Sequence, residues 1–213
     1  MSNALRKTTS IGLEKKQLIL KSAENEFEKY SYGGARMQRI ADQAGLPKAN
    51  VHYYFRSKSE LYNAVLEGVV GLWDQTFKTL DASDDPRIVL SEFVRMKVEF
   101  TRLHPQATRI FTSEMLHGAP HLNEELNDKM NRWTQNRARV IAQWVENGKI
   151  APVDPYHLIF MIWASTQHFA CSEFQIKSVY QKPKLTRKDF ADQATSLTTM
   201  VLRICGLDDR PDD

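Results

Sequence analysis

Disulfide scaffolds, metal knuckles, membrane spans and catalytic sites each leave marks that this 213-residue chain lacks. Its two cysteines, Cys171 and Cys205, are too few for a disulfide framework or a zinc knuckle. Cys205 reads as a buried thiol, with a bridge to a partner chain as the alternative. The most apolar stretch, residues 158–164, is far too short to cross a bilayer. No apolar run follows the basic residues near the start, so no signal peptide is expected. A cytoplasmic protein with no membrane partner is the default expectation. No apolar–polar alternation of useful length appears, and no internal repeat, so the expected fold is all-α.

Signatures of catalysis are also missing. There is no Gly-x-Ser-x-Gly elbow, His-Glu-x-x-His pair, phosphate-cradling glycine loop or dinucleotide fingerprint. His117 and His121 have the spacing of a helical metal pair, but Gly118 and Pro120 lie between them and spoil a regular helix. The expectation is therefore no enzyme, no metal and no cofactor.

Apolar residues make up 42% of the chain, enough for a real core. The net charge of +3 is unevenly placed: residues 1–60 hold 11 Lys and Arg against 6 Asp and Glu, and the remainder holds 18 against 20. Excess positive charge thus falls on the segment that reads as a nucleic-acid motif. In residues 33–58, Ile40, Ala41 and Ala44 give a short helix an apolar face, and Gly45 ends it by taking positive φ. Pro47 suits the first turn of a second helix. Val51 and Phe55, four apart, anchor that helix inward. Lys48, Ala49, Asn50, His52 and Tyr53 are left to point elsewhere, with the chemistry of a major-groove reader. The whole is a helix-turn-helix, with a plain helical hairpin that binds no DNA as the rival reading.

Around it, an arm over residues 1–13 carries Arg6 and Lys7, either along DNA or solvated. A first helix over about 14–30 puts Ile19, Ala23, Phe27 and Tyr30 on one inward stripe. Ser57 and Glu60 form a capping box for a long helix through Leu61, Val65, Val69, Trp73 and Phe77 toward Leu80. Further helices are expected over about 86–103, within 106–117, over 121–147 with Trp133, Val140, Ile141 and Trp144 inward, and from Tyr156. The last, about 187–205, stripes Phe190, Ala194, Leu197, Val201 and Ile204. An acidic tail, 208–213, is expected to fray. The domains expected are 1–60 for DNA binding and 61–213 for effector binding and dimerisation.

The motif resembles the TetR family of one-component bacterial regulators, through Ile40-Ala41, Ala44-Gly45-Leu46, Lys48, Val51, Tyr53-Tyr54-Phe55 and Ser57-Lys58-Ser59-Glu60-Leu61. It departs at Ala35 and Arg36, where the family has a capping hydroxyl, at Pro47 for a serine, and at His52 for a phosphate-binding tyrosine. Arg36 supplies charge and His52 can still donate to a phosphate. The resemblance implies a homodimer pairing through its last two helices. It also implies binding to double-stranded DNA at a palindromic operator, as a repressor released by a small molecule. Lys48, Ala49 and Asn50 are the expected base contacts, and Arg36, His52, Tyr53 and Lys58 the phosphate contacts.

The body resembles the pyrimidine-utilisation branch, responsive to uracil or thymine. The residues carrying this are Pro105-Gln106-Ala107, Arg109-Ile110-Phe111, Glu114-Met115-Leu116, Gly118-Ala119-Pro120 and the run from Leu158 to His168. A pyrimidine needs a flat apolar slot with a few donors and acceptors. Gln167 offers both and interrupts a nearly continuous apolar helix. Trp163 lies one turn before it, Trp73 and Phe77 are the expected opposite wall, and Arg109, Glu114 and His168 are candidates for added polar contacts. For Trp73, Phe77 and Trp163 plain core packing is the alternative. A more hydrophobic effector on the same fold is the rival ligand.

Overall fold

A computed structural model describes the backbone of residues 2–76 and 81–207 and the side chains of 12–73 and 81–207. The expected helix end at 77–80, with Phe77, and the tail 208–213 lie outside the described residues. Ten α-helices, and no strand, occur among the described residues. They fall into two compact units: Met1–Gly71 with Arg109–Asn123, and Leu72–Thr108 with Glu124–Asp213. The sequence-based boundary at residue 60 falls inside the first unit.

The first unit opens with α1 (Ser2–Gly34). The expected arm over 1–13 is corrected here: its backbone is helical from Ser2, as no proline interrupts the run into Glu14. Ile19, Ala23 and Phe27 are buried as their spacing requires, but Tyr30 is exposed. The next residue, Ser31, leaves helical geometry (φ 52, ψ 179), and the Arg39 guanidinium covers the Tyr30 ring at 4.2 Å. Next come α2 (Met37–Gln43) and α3 (Lys48–Tyr54). Ile40, Ala41, Ala44, Val51 and Phe55 bury their side chains with those of α1. At the turn, Gly45 takes φ +63, and Leu46 N–H donates to the Ala41 carbonyl at 3.0 Å. That bond closes α2 in a geometry a Cβ would strain.

Glu26 holds these helices in place. Its carboxylate is 0% exposed, yet it faces the start of α2 rather than a void. It accepts from the Arg36 backbone N–H (3.0 Å), from Arg39 Nε (2.6 Å) and from Gln43 Nε2 (3.4 Å). Arg36 precedes α2 with no side chain of its own capping the helix, so a carboxylate ten residues upstream supplies the acceptor that a local Ser or Thr provides elsewhere.

From Ser57 the chain enters α4 (Lys58–Thr76). The expected capping box forms in altered register: Ser57 Oγ accepts from Glu60 N–H at 3.0 Å, and Glu60 accepts from Arg56 N–H at 2.9 Å. Leu61, Val65 and Val69 are buried.

The second unit is built on α5 (Pro86–Leu103), α7 (Glu124–Glu146), α8 (Pro155–Cys171) and α10 (Arg187–Ile204), which pack around Leu90, Phe93, Val94, Ile141, Trp144, Ile159, Ile162 and Val201. Asp85 and Asp154 cap α5 and α8, each followed by a proline in the first turn. Trp144 is fully buried, and its Nε1 donates to the Ala82 carbonyl at 3.1 Å. The short α6 (Pro105–Leu116) begins in this unit and ends in the first.

Between α8 and α10 lies α9 (Glu173–Tyr180), stopped by Gln181 in the left-handed region. Ile204, expected inward on α10, is exposed, and its neighbour Cys205 is buried instead. Burial raises the Cys205 thiol to about 11. On α8, Tyr156 and Phe160 remain exposed.

Replacing Glu26 with alanine takes the acceptor from the Arg36 backbone N–H and removes two side-chain bonds. Urea denaturation of Glu26→Ala is expected to show a loss of about 3 kcal/mol; a change within error would contradict this role.

Candidate nucleic-acid interface and effector site

The outer face of α3 holds the expected DNA contacts together. Val51 turns inward and is buried, which leaves Lys48, Ala49, His52 and Tyr53 exposed and Asn50 half-buried. Tyr53 is 83% exposed, and its ring meets that of Tyr54 edge-on at 5.3 Å. Arg36 is exposed at the start of α2. Lys58 differs from the rest of the set. Its Nζ donates to the carbonyls of Tyr32 (2.7 Å) and Ala35 (3.2 Å) and sits over the Tyr32 ring. The ammonium therefore ties the turn after α1 to the start of α4.

Of the expected effector contacts, Arg109 and Glu114 belong to the first unit. Arg109 Nε donates to Glu28 at 2.7 Å. Glu114 is 3% exposed and accepts from the Tyr62 hydroxyl (3.0 Å) and the His121 backbone N–H (2.7 Å). The His121 ring lies against Tyr32, with centroids 3.7 Å apart. Burial, reinforced by Glu114, raises the Tyr62 hydroxyl above its ordinary pKa. These bonds tie α6 and the loop after it to α1 and α4.

Trp73, Trp163, Gln167 and His168 belong to the second unit. Trp163 lies 6.2 Å from Trp133 and 5.8 Å from Phe160, ring to ring; Trp73, Trp163 and Gln167 are half-buried and His168 is exposed. Beside Trp73 stands a residue that sequence reading passed over. Lys97 is 4% exposed, with its Nζ 5.7 Å from the Trp73 ring centroid. Its signal was its register: Lys97 falls one turn after Phe93 and one before Thr101, both buried on α5. Arg137, also buried, lies 3.3 Å over Trp133. A separate cavity of about 40 Å³ between α5, α8 and α10, lined by Val94, Ile162, Leu197 and Val201 among others, is well below the roughly 150 Å³ that admits a benzene ring.

Burial lowers Lys97 from the ordinary 10.5 to about 8. The unfolded chain keeps this proton until about 10.5, whereas the folded chain gives it up near 8. Between these values the unfolded state binds more protons, so the lysine's cost to stability shrinks as pH rises. Lys97→Met is expected to raise the melting temperature at pH 7, by a margin that narrows toward pH 10 in thermal-shift scans. A margin independent of pH would contradict the buried charge.

Residues 19–65 match the family described as bacterial regulatory proteins, tetR family, and residues 66–208 match the YcdC-like protein, C-terminal region. Over 165 residues, 78% of this chain and 78% of the relative, the sequence is 43% identical to the HTH-type transcriptional regulator RutR of Escherichia coli (strain K12). Among solved structures, the transcriptional regulator SCO4942 from Streptomyces coelicolor is similar at a TM-score of 0.70 and 23% identity, covering 89% of this chain and 97% of that one. AibR in complex with isovaleryl coenzyme A and operator DNA is similar at 0.68 and 20% identity, covering 87% and 97%. At such identities the likeness of structure speaks for the fold alone.

Proposed function

The chain belongs to the tetR family of bacterial regulatory proteins, and we propose that it acts as a homodimeric repressor whose palindromic operator is released when a pyrimidine such as uracil or thymine binds the second unit. The observation that carries the DNA reading is the outward face of α3, where Lys48, Ala49, His52 and Tyr53 are held exposed by a buried Val51. Lys48, Ala49 and Asn50 read base edges; Arg36, His52 and Tyr53 hold phosphates, with Lys58 at the edge of that surface. Two such helices, in chains related by a two-fold axis, reach successive major grooves about 34–36 Å apart. The partner covers the faces of α8 and α10 that bear Tyr156, Phe160, Met200 and Ile204, all exposed in the single chain. An operator-binding protein of this kind works in the cytoplasm.

Support for a pyrimidine comes from the half-buried Trp73, Trp163 and Gln167, which combine flat apolar walls with an amide edge, and from the resemblance of the body to the pyrimidine-utilisation branch. An effector that binds the DNA-incompetent state about 100-fold better supplies about 2.7 kcal/mol, enough to switch occupancy.

Fluorescence anisotropy on a duplex that the protein selects from a random pool tests the DNA reading. Affinity is expected to fall steeply with salt, and Lys48→Ala and Tyr53→Ala to weaken it at least ten-fold while light scattering still finds a dimer. Normal binding by both variants would refute the assignment of α3. In the same assay uracil or thymine is expected to release the wild type but not Gln167→Ala; equal release from both would remove Gln167 from the site.

A further inference from the structure

Several cations around the helix-turn-helix are engaged by the fold: Lys21 pairs with Glu24, Arg39 with Glu26, and Lys58 donates to the carbonyls of Tyr32 and Ala35. Lys16, on α1, differs. It is exposed and pairs with no carboxylate among the described residues. The residues three and four positions away on its helix, Gly12, Leu13, Ile19 and Leu20, carry no charge, so no neighbour on the helix neutralises it. Its place is nonetheless set by the fold. Lys16 Nζ stands 5.7 Å from the centroid of the Phe55 ring, which is 2% exposed and directly follows α3. One turn earlier on the same face of α1, the position a Cβ would take on Gly12 lies 3.9 Å from the Tyr54 hydroxyl. The Tyr54 ring in turn meets that of Tyr53, a proposed phosphate contact. Two contacts, through Tyr54 and through Phe55, therefore set Lys16 at the C-terminal end of α3, beside the face proposed to read DNA.

A duplex carries about one negative charge per 1.7 Å of its axis, so the strands that flank the bases read by α3 bring phosphates past its end. We infer that the DNA-binding surface continues from α3 onto α1, where Lys16 of each protomer neutralises a backbone phosphate of the operator. An ammonium on a flexible stem meets phosphate as a point charge, and this one lies at the margin of α3, away from the N-terminal turn assigned to base edges. Its place over Phe55 reduces the freedom that the side chain loses when the phosphate is bound. The inference rests on α3 being the DNA-reading helix, as proposed above, and adds a residue from another helix to that surface.

Titrations of the full-length protein on its selected duplex, by fluorescence anisotropy between about 50 and 200 mM salt, test the inference. Lys16→Gln and Lys16→Met remove the charge, and Lys16→Arg keeps it. Lys184→Gln removes an exposed charge between α9 and α10 as a control for net charge. Circular dichroism and dimer mass serve as fold controls. Either neutral variant at position 16 is expected to bind about ten-fold more weakly at the low end of that range and to flatten the salt dependence. The slope of log K against log salt falls by about two, one phosphate per protomer. Lys16→Arg and Lys184→Gln are expected to keep the wild-type slope. A lysine that only packs on Phe55 would shift the melting temperature of the free protein and leave that slope alone. A wild-type slope in any folded neutral variant at position 16, or an equal loss in Lys184→Gln, would therefore overturn the inference. Where Lys48→Ala still weakens binding, the reading of α3 survives that result. A protein that selects no duplex would remove both.

Discussion

A carboxylate sealed from water sets the geometry on which DNA reading depends. Glu26 cannot be placed in an apolar interior without several donors to meet its charge, and the donors it finds are the backbone of Arg36 and the side chains of Arg39 and Gln43. All three lie at or within α2. The cost of burying the charge is met only when α2 sits in one place against α1, and α3 follows because the turn at Gly45 is closed by its own backbone bonds. Arg39 extends the arrangement: it donates to Gly34 and caps the exposed Tyr30 ring. The outward face of α3 is thereby fixed by interactions on the opposite side of the motif.

A second buried carboxylate, Glu114, does comparable work for α6. Bonded to Tyr62 and to the backbone of His121, it keeps the end of α6 and the loop that follows in the unit that carries α3. Both α4 and α6 are continuous helices that begin in one unit and end in the other. On α4, Trp73 lies two residues past Gly71, where the first unit stops. Under the proposed function, an effector that displaces Trp73 acts on a helix whose earlier turns pack with the DNA-reading motif.

Local regularities made much of this legible in advance. The turn chemistry of Gly45 and Pro47 and the inward pair Val51 and Phe55 depend on residues within a few positions of one another. What stayed hidden depends on partners far apart in sequence. Glu26 looks like any charged residue of an amphipathic helix until α2 arrives above it. Tyr30 continues an inward stripe that the backbone at Ser31 interrupts, with Arg39 taking the ring instead. Arg109 and Glu114 look like free polar groups suited to a ligand, and their engagement with Glu28 and Tyr62 spans 81 and 52 residues. Lys97 was legible in principle, since it occupies a core position on α5, but a lysine is read as surface unless its register is weighed above its charge.

The claim at the centre of this account is that a rigid, outward-facing α3 meets DNA. Hydrogen–deuterium exchange of the full-length protein, with and without its selected duplex, examines that claim at the level of single peptides. The account predicts slowed exchange over residues 47–54 on adding the duplex, with no change over residues 173–180. Protection confined to α9, or none over α3 while the duplex is bound, would contradict it.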